Sequence, residues 1–391
     1  VTKHGRVRSN PALVLLALGH ACVDLYQGAV AALIPFFVTE RHYSLAVASG
    51  IVLAASLLSS ITQPLFGALT DRWPMPWLLP ASTLVGGVGI ALSGLSGSYP
   101  LTLAFVALSG IGVAAYHPES ARAARIASRG SHTAMSWFSL GGNVGFALAP
   151  IMVALAIGHG SLRATPVLVL PALAGAALCV PVLRMIGDHR TAPATSPAPG
   201  VDDVGSFVKL SLAVIARSVV FIGLSTFIAL HAQQRVHGVP AAGTLALFLL
   251  FLGGAAGSVL GGRLAQRYGR VRVSRWSYLI SVAAVAGVVH VPGPAMLLFV
   301  ALTSAGLYVP FSLQVTLGQD YLPSRIGTAS GLTLGLTVSI GGLISPLLGR
   351  LADTTSLPTA LTPLILMPLV SWLVFRVLPE PALPAAARRE S

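Results

Sequence analysis

The sequence alternates between long apolar runs and short polar breaks. A bilayer core takes about 20 apolar residues per helix, with a range of ~17–25. Dividing the apolar runs at charges, Gly/Pro sites and Ser clusters predicts twelve such helices. They fall at roughly 11–38, 45–70, 77–97, 100–121, 131–158, 164–186, 206–231, 241–265, 272–291, 294–319, 325–352 and 357–378. The expected fold class is therefore all-α integral membrane, with twelve transmembrane helices.

Composition agrees with this pattern. Of 391 residues, 54% are hydrophobic and only 9% charged, against roughly 25% charged in a soluble domain. Too few charges are present to cover a water-facing surface, so lipid is the natural solvent for most of the chain. The net charge of +13 raises the question of nucleic acid. The basic residues, however, sit between apolar runs and form no basic face interleaved with aromatics, so no nucleic-acid partner is expected. Cys22 and Cys179 both lie inside apolar runs, which suits small apolar fillers and gives neither a disulfide framework nor a metal site. The leader "VTKHGRVRSNPA" enters an apolar helix with no A-x-A-like cleavage site behind it, so it is read as preceding a retained first span.

The loop charges set an orientation. With the N-terminus inside, 19 Lys and Arg fall in inner segments, four fall outside (Arg41, Arg163, Arg235, Arg350), and Arg217 lies within a span. Cytoplasmic loops carry the basic excess, so both termini are expected in the cytoplasm and the span count is even. The longest polar segment, "GDHRTAPATSPAPGVDDVGS", reads as a flexible linker. It separates an N-terminal half (1–186) from a C-terminal half (206–391), with 187–205 between them.

The halves repeat. "GALTDRW" at Gly67 and "GRLAQRYGR" at Gly262 close spans two and eight at an offset of 195. "SRGSHTAMS" at Ser128 and "SRIGTASGL" at Ser324 open spans five and eleven at an offset of 196, and Pro150 and Pro346 keep that offset. Duplicated helical units are a common construction of secondary transporters, with cargo bound near mid-membrane.

Gly67, Leu69, Asp71 and Arg72 form a G-x-L-x-D-R element; Gly262, Leu264, Arg267, Gly269 and Arg270 form its second copy, with Gln266 where the acid would stand. Twelve spans, a central loop and this element resemble the major facilitator superfamily. "GHACVDLYQ", "DRWPMPWLLP", "YHPESARAARIAS" and "LPSRIGTASG" resemble, within it, the fosmidomycin-resistance family of drug exporters. "WPMPW" replaces the usual basic second half of the element, and this departure itself fits that family. The resemblance implies a major facilitator fold of two six-helix repeats and proton-driven export of small molecules; it leaves the cargo open.

Ionisable groups inside spans are costly and mark candidate sites. Asp24 lies in the middle of span one, and His20, Asp24 and Gln27 share a helix face by 4-3 spacing. Such a carboxyl suits proton coupling or cargo contact, with a structural polar contact as the competing reading; His20 titrates or orients it. In span four, Pro118 cannot donate to the Ala114 carbonyl and is expected to bend the helix. His117 and Glu119 are proton-relay candidates there, while Arg122 can pair statically with Glu119 at i,i+3. Arg217, near the middle of span seven, could grip a phosphonate or carboxylate, or else pair with an acid such as Asp24. Gln63, Asn143, Tyr308 and Gln314 are weaker cargo candidates, since polar groups in spans most often make interhelical hydrogen bonds. Asp71, with Arg72, is expected to latch a conformation, as is Arg122.

No G-x-x-x-x-G-K-[ST], Cys/His cluster or G-x-S-x-G element occurs, so neither nucleotide drive, a metal, a cofactor nor an enzyme is expected. The reading is a bacterial cell-membrane carrier, a monomer, whose partners are a small-molecule substrate, protons and lipid. It is expected to export by proton antiport through alternating access. The alternatives are an importer or facilitator on the same fold, and a non-transporting receptor or scaffold.

Overall fold

A computed structural model describes residues 11–73, 75–128, 132–158, 160–186, 201–239 and 241–381. No strand occurs among them. The first part of the chain holds α1 (Pro11–Arg41), α2 (Leu45–Arg72), α3 (Leu78–Ser93), α4 (Tyr99–Ser128), α5 (His132–Ile157) and α6 (Leu170–Ile186). The second holds α7 (Val204–Arg235), α8 (Ala242–Tyr268), α9 (Arg270–His290), α10 (Ala295–Tyr308), α11 (Phe311–Tyr321), α12 (Ile326–Thr354), α13 (Leu357–Leu361) and α14 (Leu366–Val377). Ten helical segments among the described residues are long and apolar enough to cross a membrane, and α3 is a shorter apolar helix. With the 29-residue α12, each of the twelve predicted spans has a helical counterpart.

Three spans are less regular than predicted, and proline explains each. Span six opens as a 3₁₀ segment, Leu162–Val169, which contains Pro166. Span ten breaks between α10 and α11 at Pro310. Span twelve runs as α13, a 3₁₀ turn and α14, with Pro358, Pro363 and Pro368 along it. A proline has no N–H for the carbonyl four residues back, and its ring crowds that carbonyl. Pro118 instead sits inside α4 without ending it.

The chain forms two compact units, one of Val1–His42 with Gly50–Pro193 and the other of Tyr43–Ser49 with Ala194–Ser391. Most of the predicted linker (187–200) lies outside the described residues. The start of α2 belongs to the second unit. There the Asp353 carboxylate accepts from the backbone N–H groups of Leu45 (2.8 Å) and Ala46 (2.9 Å), which satisfies two donors that a helix start leaves without intrahelical partners.

Glycines set the helix spacing within each unit. In the first, a Cβ on Gly141 would lie 2.1 Å from the Ala17 carbonyl oxygen, and one on Gly145 2.0 Å from that of Ala21. The backbones of α1 and α5 are therefore nearly in contact. In the second, a Cβ on Gly341 of α12 would lie 2.7 Å from the Ser218 carbonyl oxygen of α7. Gly145 and Gly341 are separated by the 196-residue offset of the sequence repeat. Helices in lipid lack a hydrophobic drive to associate, and small residues recover van der Waals contact instead. Gly145→Leu is expected to cost about 1–3 kcal/mol or more, seen as a lower melting temperature in detergent. Gly67→Ala should not lower the melt, because nothing lies within 4 Å of its Cβ position and alanine is the better helix former.

Two aspartates tie down the entry to α7. Asp202 accepts from the Ser324 hydroxyl and from the Ser324 backbone N–H at 3.1 Å. Asp203 accepts from the Ser206 backbone N–H at 2.9 Å. The Ser324 and Ser206 hydrogen bonds hold the two carboxyls below the usual aspartate range. A depressed folded-state value means the tie is complete above the ordinary aspartate range and is lost as pH falls through the lowered one. Amide exchange at Ser324, corrected for intrinsic rates, should therefore accelerate only in that acid window, and Asp202→Asn should remove the pH dependence.

Candidate functional site

The first unit gathers three of the predicted residues. His20 and Asp24 sit one turn apart on α1, and α4 brings His117 to them. His20 Nε2 lies 3.3 Å from Asp24 Oδ2, and His117 Nε2 lies 3.2 Å from Asp24 Oδ1. Asp24 is only 9% exposed. The α5 backbone closes one side, because a Cβ on Gly142 would sit 2.5 Å from Asp24 Oδ2 and 2.6 Å from His20 Nε2. The Phe138 ring stacks on His20 with centroids 4.4 Å apart.

The other ring nitrogens reveal the tautomers. His20 Nδ1 is 3.1 Å from the Phe138 carbonyl oxygen, and His117 Nδ1 is 2.7 Å from that of Val113. A carbonyl only accepts, so both Nδ1 atoms carry the hydrogen. In the neutral rings each Nε2 is then a bare lone pair facing a carboxylate. Oδ1 of Asp24 is buried and receives no hydrogen bond. Three electron-rich groups converge, and the arrangement calls for positive charge among them.

Glu119 stands apart from this triad. It is two residues beyond His117, which places it on the opposite helix face, and it is fully buried. Arg122 donates to it from Nε at 3.0 Å and from Nη2. The pair is the two-pronged contact that a guanidinium makes with a carboxylate.

The second unit builds a buried polar cluster around Arg217, which is 1% exposed. Its Nε donates to Gln314 Oε1 at 3.1 Å, and Gln314 Nε2 donates to the Tyr278 hydroxyl at 2.8 Å. The guanidinium carbon lies 4.9 Å from the Phe311 ring centroid and 5.8 Å from that of Tyr308. Tyr308 and Phe311 flank the break at Pro310, and their ring centroids, 5.4 Å apart, lie on one side of the charge. Face-on aromatic contact stabilises a cation, and the glutamine orients the fork.

The remaining candidates are less engaged. Gln27, Gln63 and Asn143 are exposed on α1, α2 and α5. Arg72 lies at the end of α2, its guanidinium carbon 5.3 Å from the Trp73 ring centroid. The side chain of Asp71 lies outside the described residues. Phe138, Gly142, Tyr278 and Phe311 contribute to the two sites without having been singled out in sequence. Each acts through a contact with a distant part of the chain, and only the glycine cluster at 141–142 gave a local hint.

The sequence profile of the Major Facilitator Superfamily matches residues 16–346. The chain belongs to that superfamily. It is a membrane transporter and not an enzyme. Among relatives of this major facilitator protein, the fosmidomycin resistance protein of Escherichia coli (strain K12) is 30% identical over 375 residues, covering 92% of this chain and 90% of the relative. The MFS-type transporter YfnC of Bacillus subtilis (strain 168) is 30% identical over 391 residues, at 93% and 92% coverage. Among solved structures, the nucleoside transporter NupG superposes with a TM-score of 0.77 at 13% identity, covering 94% of this chain and 99% of that one. The E. coli fucose:proton symporter FucP gives 0.64 at 16% identity, with 94% and 98% coverage. These structures share the fold.

Proposed function

We propose that this transporter is a proton-coupled antiporter that exports a small, anionic compound by alternating access of its two six-helix halves. The observation that carries the coupling reading is the Asp24 carboxylate held between two Nε2 lone pairs. A proton on either nitrogen converts a repulsive contact into a charge-assisted hydrogen bond, so the triad binds and releases protons with a change in its own geometry. Glu119 with Arg122 is a second exchangeable pair on the same helix. Arg217, oriented by Gln314 and Tyr278, supplies the cationic contact for the cargo, with Tyr308 beside it. Gln27, Gln63 and Asn143 are further polar cargo contacts, and Asp71 with Arg72 serves as a conformational latch. The name of the E. coli relative, a fosmidomycin resistance protein, supports export and an anionic phosphonate-like cargo. The proposed setting is a bacterial cell membrane with both termini cytoplasmic, the transporter working as a monomer.

Inverted membrane vesicles with an imposed pH gradient test the direction. An acid interior should drive uptake of labelled fosmidomycin, and collapsing the gradient with an ionophore should abolish it. Uptake driven only by the opposite gradient would replace this reading with proton symport into the cell. Binding without flux under either gradient would replace it with a receptor.

A further inference from the structure

We propose that His20, Asp24 and His117 form a binding site for a divalent transition-metal ion of the Zn²⁺ class. The inference goes beyond the transport reading and does not rest on it. It rests on the donor set, its spacing and its supporting hydrogen bonds.

The donors suit such an ion chemically. Two imidazole nitrogens and one carboxylate oxygen are common ligands of Zn²⁺ and its first-row neighbours. Both Nε2 atoms are lone pairs in the neutral rings, as a metal requires. The hydrogen bonds that impose this, from Nδ1 to the Phe138 and Val113 carbonyls, are the outer contacts that orient metal-binding histidines. Asp24 Oδ1 is buried and receives no hydrogen bond while the His117 ring is neutral, its neighbour at 3.2 Å then being the His117 Nε2 lone pair.

The spacing also fits. Ligands about 2.05 Å from a tetrahedral ion lie about 3.3 Å from one another. His20 Nε2 lies 3.3 Å from Asp24 Oδ2 and His117 Nε2 lies 3.2 Å from Asp24 Oδ1, so each histidine faces its own carboxylate oxygen at that spacing. One carboxylate oxygen and the two Nε2 atoms lie within 4.8 Å of one another, so turning the carboxylate and swinging the two rings brings the three donors to that spacing. Two neutral imidazoles and one carboxylate leave a bound divalent ion with a net positive charge and an open fourth position. The His117 side chain is 25% exposed, which gives the ion a way in. No metal motif was legible in sequence because His117 comes from α4, far along the chain from His20 and Asp24.

Calorimetric titration of the full-length, detergent-solubilised protein with Zn²⁺, after removal of any affinity tag, tests the proposal. One ion per chain with a Kd below about 10 µM is expected. Co²⁺ in its place should give the intense visible bands of a four-coordinate site. His20→Ala, Asp24→Asn and His117→Ala should each weaken binding at least about tenfold, and His42→Ala, at an exposed position, should not. Weaker or non-stoichiometric binding, or binding that survives His20→Ala and His117→Ala, overturns the site. X-ray absorption on the Zn²⁺-loaded wild-type protein keeps the test independent of variant folding: two imidazoles and an oxygen are expected in the coordination shell, and a shell without imidazole also overturns it.

Discussion

Asp24→Asn is expected to reduce pH-gradient-driven transport by about tenfold to a hundredfold while the protein remains folded. The substitution keeps the size of the side chain and one oxygen near the histidines, but it removes the charge. A hydrogen bond to a charged partner contributes roughly 1.5–3 kcal/mol, and each 1.4 kcal/mol is a factor of about ten in an equilibrium. The variant therefore loses most of the drive that holds a proton at Nε2 of His20 or His117. Cargo exchange at equal pH on both sides should persist, because that process needs no net proton movement. The pairing of a lost gradient response with retained exchange separates coupling from cargo binding. Parallel loss of both would move Asp24 into the cargo site, and an unchanged gradient response would remove it from the mechanism.

The second large effect is expected at Arg217. Arg217→Lys should weaken the binding of an anionic cargo by about tenfold to a hundredfold, on the same conversion of 1.5–3 kcal/mol. The change preserves charge but replaces a planar fork, able to hold Gln314 and an anion at once, with a compact ammonium. Losing the Nε donor also leaves Gln314 Oε1 without the hydrogen bond it now accepts, in a buried place where an unmet acceptor costs about 1–3 kcal/mol. A modest fall in melting temperature should accompany the loss of affinity. Gln314→Leu, which keeps Arg217, distinguishes the two effects. If Arg217 is a cargo contact, Arg217→Lys should raise the concentration for half-maximal transport far more than Gln314→Leu does. If the arginine only supports the fold, the two variants should lower the melt and the transport together. Equal affinity for an anionic and an esterified, neutral form of the cargo would remove the electrostatic argument for Arg217.

Much of this molecule is set by local rules that a sequence displays directly. The twelve spans follow from run length against bilayer thickness, and each has a helical counterpart. The repeat offset near 196, read from loop motifs and prolines, reappears as the close packing of Gly145 on Ala21 and of Gly341 on Ser218. His20 with Asp24, and Glu119 with Arg122, were legible because both partners of each pair lie within one helical turn. Superfamily membership was legible for a related reason: the motifs that carry the resemblance are short strings of neighbouring residues.

Contacts between distant segments were decided elsewhere. His117 reaches Asp24 only because α4 packs beside α1, and nothing in its neighbours announces that partner. The His20 tautomer depends on the Phe138 carbonyl of α5, 118 residues away, whereas the Val113 carbonyl that His117 faces lies one turn back on its own helix. Gln314 was a weak candidate until the structure put it between Arg217 and Tyr278, 97 and 36 residues away. The irregular spans show the same division. Proline content marked where a break was possible, yet α4 continues through Pro118 while span ten breaks at Pro310. Hydropathy counts how much apolar surface a segment offers and therefore fixes that it enters the membrane. It carries no record of which helix face meets which neighbour, and a buried polar group has its chemistry defined by that meeting.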